Sequence, residues 1–116
     1  MPNDPPPDPS NPPNGTYTST CGADFSSWDG SFTYYNGTIV YTRTNPSETY
    51  NTSNSSNGNA IVFSLTDTNV NPNQTVQFNG SSFLFKGPNN KAEYKGHCHK
   101  QGPTDAEDGW TATQTS

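Results

Sequence analysis

Apolar and polar residues alternate along several short stretches of the chain, and a period of two is that of a β-strand. The clearest case is Ser31–Tyr35 followed by Thr38–Thr42, two runs rich in β-branched and aromatic residues that flank Asn36-Gly37. Asn-Gly readily adopts the two positive φ angles of a type I′ turn, so this pattern predicts a tight β-hairpin. No segment shows the 3.6-residue apolar period and end caps that predict a helix.

The same pattern predicts strands further along the chain, at Ala60–Leu65, Gln74–Phe78, Ser82–Lys86, Ala92–Cys98 and Trp110–Gln114. Ala60–Leu65 is the most apolar run, so we expect it to be the central strand. The next two runs are expected to pair as a second hairpin across Asn79-Gly80-Ser81. Thr44–Gly58 has few apolar residues and is expected to be a long surface loop.

Short strands separated by regular turns predict an all-β fold, and the length of 116 residues suits a single domain. We expect a small antiparallel β-sandwich or a barrel. A sandwich of the immunoglobulin type is fitted only loosely by Cys21, Trp28, Tyr94 and Cys98. Some of the polysaccharide-binding modules of secreted glycosidases resemble this chain in having a Pro-rich linker, low charge and cysteines near both ends. That likeness is compositional, and no run of residues matches.

The beginning of the chain has a different composition from the rest. Residues 1–14 contain seven prolines, which fix φ and remove backbone donors. Residues 1–15 are therefore expected to form an extended, Pro-rich N-terminal arm or linker, and residues 16–116 a single β-domain.

The two cysteines, Cys21 and Cys98, lie near the two ends of the expected β-domain. Only 26% of the residues are hydrophobic, so the core is thin and gains much from a covalent link. A bridge that closes so long a loop stabilises a fold by about 4 kcal/mol in the chain-entropy treatment. The sequence thus predicts a Cys21–Cys98 disulfide and a secreted or cell-surface protein.

The glycosylation motif Asn-X-Ser/Thr supports the same location. It occurs at six positions, Asn14, Asn36, Asn51, Asn54, Asn73 and Asn79. A chain rich in Asn, Ser and Thr also produces such motifs by chance. We predict a glycoprotein if the source is eukaryotic.

The charge of the chain argues against several classes of partner. The net charge is −5, with five Lys and Arg residues in all and no basic run. Binding to nucleic acid or to an anionic membrane requires clustered cations. No apolar stretch approaches the roughly 20 residues of a membrane-spanning helix, so we expect no nucleic acid and no membrane insertion.

No pattern in the sequence points to catalysis or to a cofactor. No two carboxylates are grouped for acid–base chemistry, and no Gly-X-Ser-X-Gly motif is present. His97 and His99 would share one face of a strand, but no spacing supplies a third metal ligand. Asp105–Asp108 is an acidic cluster that is more simply a solvated loop. We therefore predict a protein that is not an enzyme, without metal or cofactor.

The aromatic residues outnumber what so thin a core needs, which suggests that some are exposed. Tyr35, Tyr41 and Trp110 are the predicted ligand-binding rings, because exposed aromatic faces stack on sugars and also make good protein contacts. The predicted function is a non-catalytic extracellular binding module for carbohydrate or for a cell-surface ligand, as in cell adhesion. The alternative is a structural subunit of a pilus, surface layer or extracellular fibre, whose partners are copies of itself.

Overall fold

The computed structural model describes residues 12–56, 60–82, 92–101 and 105–115, apart from the side chains of Asp24 and Ser82. These residues form an all-β fold, which confirms the predicted class, with one short 3₁₀-helix at Ala23–Trp28. The strands are β1 Gly15–Cys21, β2 Gly30–Tyr35, β3 Thr38–Arg43, β4 Glu48–Asn51, β5 Ser53–Asn54, β6 Ala60–Asp67, β7 Gln74–Ser82, β8 Glu93–Gln101 and β9 Ala106–Gln114.

The described strands form one antiparallel sheet in the order β4-β3-β2-β1-β9-β8-β7-β6-β5, which nearly closes into a barrel. β4 and β5 are two parts of one strand, interrupted at Thr52, and they pair with β3 and β6 respectively. Each strand therefore pairs with its neighbour in sequence, and β9 returns to pair with β1. This arrangement is an up-and-down meander. Of the two predicted architectures, a sandwich or a barrel, the structure therefore shows the barrel.

Aromatic rings fill the middle of this barrel. Strand alternation turns Tyr17, Phe32, Tyr41, Phe63 and Phe78 inward, and the 3₁₀-helix adds Phe25; these are the largest fully buried side chains. Phe63 and Phe78 lie with their ring centroids 4.8 Å apart, and the rings of Tyr17 and Phe32 stack at 5.0 Å. Because each aromatic ring buries a large area, a few of them fill a small barrel even though aliphatic residues are scarce.

Two of the buried tyrosines, Tyr17 and Tyr41, donate hydrogen bonds to the backbone. The hydroxyl of Tyr17 donates to the carbonyl of Pro13 at 2.6 Å, and that of Tyr41 donates to the carbonyl of Trp28. Burial raises the pKa of both phenols well above the ordinary tyrosine range. Tyr17 and Tyr41 therefore serve as neutral donors that hold a core together.

The predicted disulfide between Cys21 and Cys98 is present, with the two Cα atoms 6.1 Å apart. It joins β1 to β8, the two strands that flank β9. Cys98 is completely buried. The disulfide therefore links the barrel covalently at the position where its last strand, β9, pairs with its first strand, β1.

The 3₁₀-helix packs two large side chains into one end of the barrel. Phe25 and Trp28 are both buried, and the guanidinium of Arg43 lies 3.7 Å from the centre of the Trp28 ring system. Arg43 also donates from Nε to the carbonyl of Ser27 at 2.7 Å. Six residues are too few to show a helical period, which is why the sequence did not predict this element. Nowhere in the described ranges is there a helix with the length and apolarity needed to cross a membrane.

The first predicted hairpin is confirmed and the second is wrong. Asn36 and Gly37 have φ angles of 51° and 90°, as a type I′ turn requires. In contrast, β7 runs straight through residues 79–81, pairing with β6 on one side and β8 on the other. Gly80 is there for close packing, because a Cβ at this position would lie 2.7 Å from Cζ3 of Trp110. The predicted strand partner falls largely on residues 83–86, which lie outside the described residues.

Two other predictions about strands need correction. The expected loop at Thr44–Gly58 contains β4 and β5, because Tyr50 is buried and packs against Trp28 with ring centroids 5.6 Å apart. The expected central strand, β6, lies next to β5 at one end of the sheet order. Its apolar residues reflect its inward face rather than a central position. Of the predicted arm, residues 1–11 lie outside the described residues, and β1 begins at Gly15.

The strand glycines give a sharp test of this packing. A Cβ at Gly96 would lie 1.8 Å from the carbonyl oxygen of Asn79, whereas a Cβ at Gly109 would meet nothing within 4 Å. We expect Gly96→Ala to destabilise the fold by about 3 kcal/mol or more, because the clash is with backbone. Gly109→Ala is the matched control and should be neutral or slightly stabilising. Chemical denaturation measures both, and equal stability of the two variants would contradict the β7–β8 pairing described here.

Candidate functional site

The structure separates the three predicted ligand-binding rings. Tyr41 is 0% exposed and Trp110 is 2% exposed, so neither ring offers a face to a ligand. The indole of Trp110 donates instead to the hydroxyl of Ser19 inside the barrel, at 2.7 Å. Tyr35 alone lies at the surface, with 54% of its area exposed. Alternation distinguishes the two faces of a strand, but it does not say which face points inward.

Threonine and serine dominate the outward positions of β1, β2 and β9. We define the hydroxyl face as the outward Ser and Thr side chains of these strands and of the residue after β9, namely Thr16, Thr18, Thr20, Ser31, Thr33, Thr111, Thr113 and Thr115. Two Thr-X-Thr-X-Thr segments, one in β1 and one at the end of β9, contribute six of these residues. The sequence displays both segments, but only strand pairing shows that they lie side by side.

The register of the sheet aligns these hydroxyl groups in rows. Thr18 lies opposite Ser31 on one side and Thr113 on the other. Thr16 lies opposite Thr33, and Thr20 lies opposite Thr111. Neighbouring rows are about 6.6 Å apart along a strand, and members of one row are about 4.8 Å apart. The barrel therefore presents a regular, rigid array of hydroxyl and methyl groups.

The residues of the hydroxyl face carry no charge, but charged side chains border them: on the outward side of β9, Glu107 lies beyond Gly109. The nearest charges in register are on β8, where Glu93 lies opposite Thr113 and Lys95 opposite Thr111. The exposed ring of Tyr35 is on the outward side of β2, two residues beyond Thr33, and so borders the array. One predicted ligand-binding residue thus adjoins a surface that the sequence analysis did not single out.

A second polar surface covers β7, β8 and part of β9. Its groove has a volume of about 380 Å³ and is lined by Gln77, Asn79, Ser81, Lys95, Gly96, His97, His99 and Glu107. His97 and His99 share this outer side, as strand alternation predicted. His97 Nδ1 lies 3.7 Å from Glu107 Oε2, and both side chains are more than half exposed.

Glu107 and Asp108 lie in strand β9 rather than in the expected solvated loop, and they point to different sides of it. Glu107 points into the outer groove, while Asp108 is partly buried and accepts a hydrogen bond from the backbone of Gly109 at 2.8 Å. Within the described ranges, no three His, Cys, Asp or Glu side chains converge, as they stand, to hold an ion.

The barrel has a seam between β4 and β6, where the strand backbones are not paired. The cleft there has a volume of about 490 Å³, and Tyr50 and Leu65 are among the residues that line it. A side-chain hydrogen bond crosses it, from Asn69 Nδ2 after β6 to Glu48 Oε1 of β4 at 2.8 Å. Thr52 Oγ1, between β4 and β5, donates to the carbonyl of Ile39 at 2.9 Å, which holds this part of the chain to β3.

The carboxylate of Glu48 receives a second hydrogen bond at this seam, from the hydroxyl of Tyr50 at 2.6 Å. The hydrogen bonds from Tyr50 and then from Asn69 favour the charged form and lower the pKa of Glu48. Burial, followed by the bond to Glu48, raises the pKa of Tyr50. Glu48 is thus held as a carboxylate that links β4 to the turn after β6.

The six predicted glycosylation sites lie at or near the surface, and five of them are exposed: Asn14, Asn36, Asn51, Asn73 and Asn79. Asn54 is half-buried, and its Nδ2 donates to the carbonyl of Gly37. None of the six is on the hydroxyl face, whereas Asn79 lines the polar groove. Glycosylation itself stays a prediction.

The seam predicts a pH effect on stability. The hydrogen bonds to Glu48 stabilise the fold fully above the ordinary glutamate pKa of about 4.3 and are lost as the pH falls through the lowered folded-state pKa. Glu48→Gln should therefore flatten the fall in Tm at acid pH, because the variant has no carboxylate to protonate. Asn73→Ala is the matched control, because Asn73 lies in the same turn after β6 as Asn69 but does not bond to Glu48. This variant should keep the original dependence of Tm on pH. Thermal melts between neutral and acid pH measure this, and an unchanged slope in Glu48→Gln would refute the role of Glu48.

Comparisons with known proteins give no relative for this chain. No protein-family model matches it, and neither the curated proteins nor the solved structures contain a significant match. The function must therefore be argued from the surfaces of the barrel.

Proposed function

We propose that this chain is a non-catalytic extracellular binding module whose hydroxyl face binds carbohydrate, with Tyr35 as an aromatic contact at its margin. The observation that supports the proposal best is the register of β2, β1 and β9, which aligns Ser and Thr hydroxyl groups in uncharged rows. A function inside the barrel has less support, since aromatic rings occupy the middle.

The chemistry of the face suits a neutral polyhydroxyl ligand. A Ser or Thr hydroxyl both donates and accepts hydrogen bonds, and sugar hydroxyl groups require both. The threonine methyl groups and the ring of Tyr35 provide apolar contact for the C–H faces of a sugar. An ionic ligand would find no countercharge among these residues.

The regularity of the rows favours a polymer over a single sugar. Each hydrogen bond contributes only about 1 kcal/mol net, so one sugar unit would bind weakly. A repeating ligand can occupy several rows at once, and a rigid sheet adds little ordering cost. We therefore expect binding to polysaccharide chains or particles and little binding to monosaccharides.

The extracellular location has its own support. A buried disulfide between β1 and β8 is the kind of bond that forms and persists in oxidising compartments. The exposed glycosylation motifs agree with that location, and they leave the hydroxyl face clear. Asn36 adjoins Tyr35, so a glycan there would compete with ligands at this margin.

Depletion of the oxidised protein from solution by cellulose, chitin and other insoluble polysaccharides tests the proposal. We expect clear depletion by at least one matrix. The double variant Thr18→Val, Thr113→Val removes two hydroxyl groups without changing side-chain shape and should raise the apparent Kd at least about fivefold, since one hydrogen bond is worth about 1 kcal/mol. Tyr35→Ala should weaken binding similarly.

Thr66→Val on β6 is the matched control, because Thr66 is exposed but belongs to the opposite part of the barrel. It should bind like the parent protein. No depletion by any matrix, or equal loss in Thr66→Val, would reject the hydroxyl face as a carbohydrate site.

The seam supports a second candidate, a structural subunit that assembles with copies of itself. Among the described residues, β4 pairs with β3, and β5 pairs with β6 at Ser53 and Asn54, with one further backbone hydrogen bond from Ser55 to Val62. The remaining strand edges face the cleft, and unpaired edges are templates for pairing with another chain.

Light scattering across a concentration series distinguishes this candidate from the first. A fibre subunit should form larger assemblies as concentration rises, and Thr49→Lys with Thr66→Lys at the rim of the cleft should prevent them, because lysine blocks edge pairing. Thr18→Lys, on the hydroxyl face, should assemble normally. A monomer at every concentration would reject the structural candidate and leave the binding module unaffected.

A further inference from the structure

His97 and His99 lie two residues apart on the outer side of β8, in the polar groove. Residues at this spacing in a strand have their Cα atoms about 6.6 Å apart, and their side chains point the same way. Two imidazoles of this length can meet at a point between them. The sequence alone offers these two nitrogen ligands and no third.

Strand pairing supplies the third ligand. Glu107 on β9 lies directly opposite His99 and points to the same outer side. Its carboxylate reaches diagonally to His97, with Oε2 at 3.7 Å from Nδ1. Two ligand atoms of a tetrahedral zinc ion are about 3.3 Å apart, given bonds of about 2.0 Å. The observed separation is therefore close to the distance at which both atoms bind one ion.

The neighbourhood leaves room for the imidazoles to turn. Gly109 lies opposite His97, and a Cβ there would meet nothing within 4 Å. As placed, His97 and Glu107 approach each other, and binding of one ion by all three side chains requires His99 to rotate about its side-chain bonds. Because the site is on the outer surface, this rotation does not disturb the aromatic core.

We propose that His97, His99 and Glu107 bind a first-row divalent transition ion, Zn²⁺ or Cu²⁺, on the outer face of β8 and β9. Imidazole nitrogen with one carboxylate suits these ions, and the hard ions Mg²⁺ and Ca²⁺ prefer oxygen ligands throughout. Three ligands from one protein surface leave the outward position open to water or to a ligand atom. The site lies outside the hydroxyl face, so it stands independently of the carbohydrate proposal.

The test is calorimetric titration of the EDTA-treated, oxidised protein with ZnCl₂ and CuCl₂ at neutral pH. We expect one ion per chain and no heat of binding with MgCl₂. His97→Ala and His99→Ala should each weaken binding at least roughly tenfold, and Glu107→Gln should weaken it less, because an imidazole is the stronger ligand for these ions. Near-ultraviolet circular dichroism confirms that each variant is folded.

A matched variant tests the spacing itself. His99→Gln with Gln101→His keeps both histidines, the net charge and the exposed side, but doubles the separation along β8. It should bind as weakly as His99→Ala. Binding that persists in this variant, or that is unchanged in His97→Ala, would overturn the proposal and assign the heat to scattered surface groups. Thr33→Ala, on the hydroxyl face, should bind the ion like the parent protein.

Discussion

The pairing of β1 with β9 is the interaction on which the rest of the molecule depends. It joins the beginning of the described chain to its end, and without it the strands would form an open meander with two long edges. In its register Cys21 lies opposite Trp110, so the same contact directs the indole into the core and sets β1 beside the disulfide to β8. It also aligns the two threonine-rich segments on the outside. One pairing thus determines closure, part of the core and the candidate binding surface.

The scarcity of aliphatic residues explains three features of the core: its aromatic rings, the glycines beside them and the hydrogen bonds of the buried polar atoms. Aromatic rings supply the buried area, and the neighbouring strands must accommodate their size. Gly80 makes room for Trp110 in this way, and Gly96 lets β7 approach β8 closely. Polar atoms on the buried rings then need partners, which Ser19 and the carbonyls of Pro13 and Trp28 provide. A core of this kind is specified by geometry as much as by hydrophobicity.

The outer surface is divided by chemistry. The hydroxyl face is uncharged and regular, whereas the groove on β7 and β8 holds amides, imidazoles, a lysine and a carboxylate. The seam at β4 is different again, because β4 and β6 are not paired through their backbones and a hydrogen bond from Asn69 to Glu48 links the two sides. Each surface supports a different proposal: binding of a neutral polymer, binding of a metal ion, or pairing with another strand.

The sequence by itself determined the all-β class, the hairpin at Asn36-Gly37, the disulfide and the pairing of His97 with His99 on one face. All of these follow from local rules, namely strand period, turn propensity and loop closure. It did not determine that Tyr41 and Trp110 point inward, that Gly80 lies within a strand, or that β4 exists in a polar segment. Those outcomes depend on which strands become neighbours. The alternation of residues along a strand separates its two faces, but only the curvature of the folded sheet decides which face becomes the core. The rows of threonine and the approach of Glu107 to His97 arise only in the folded barrel, because they join strands that are far apart in the sequence.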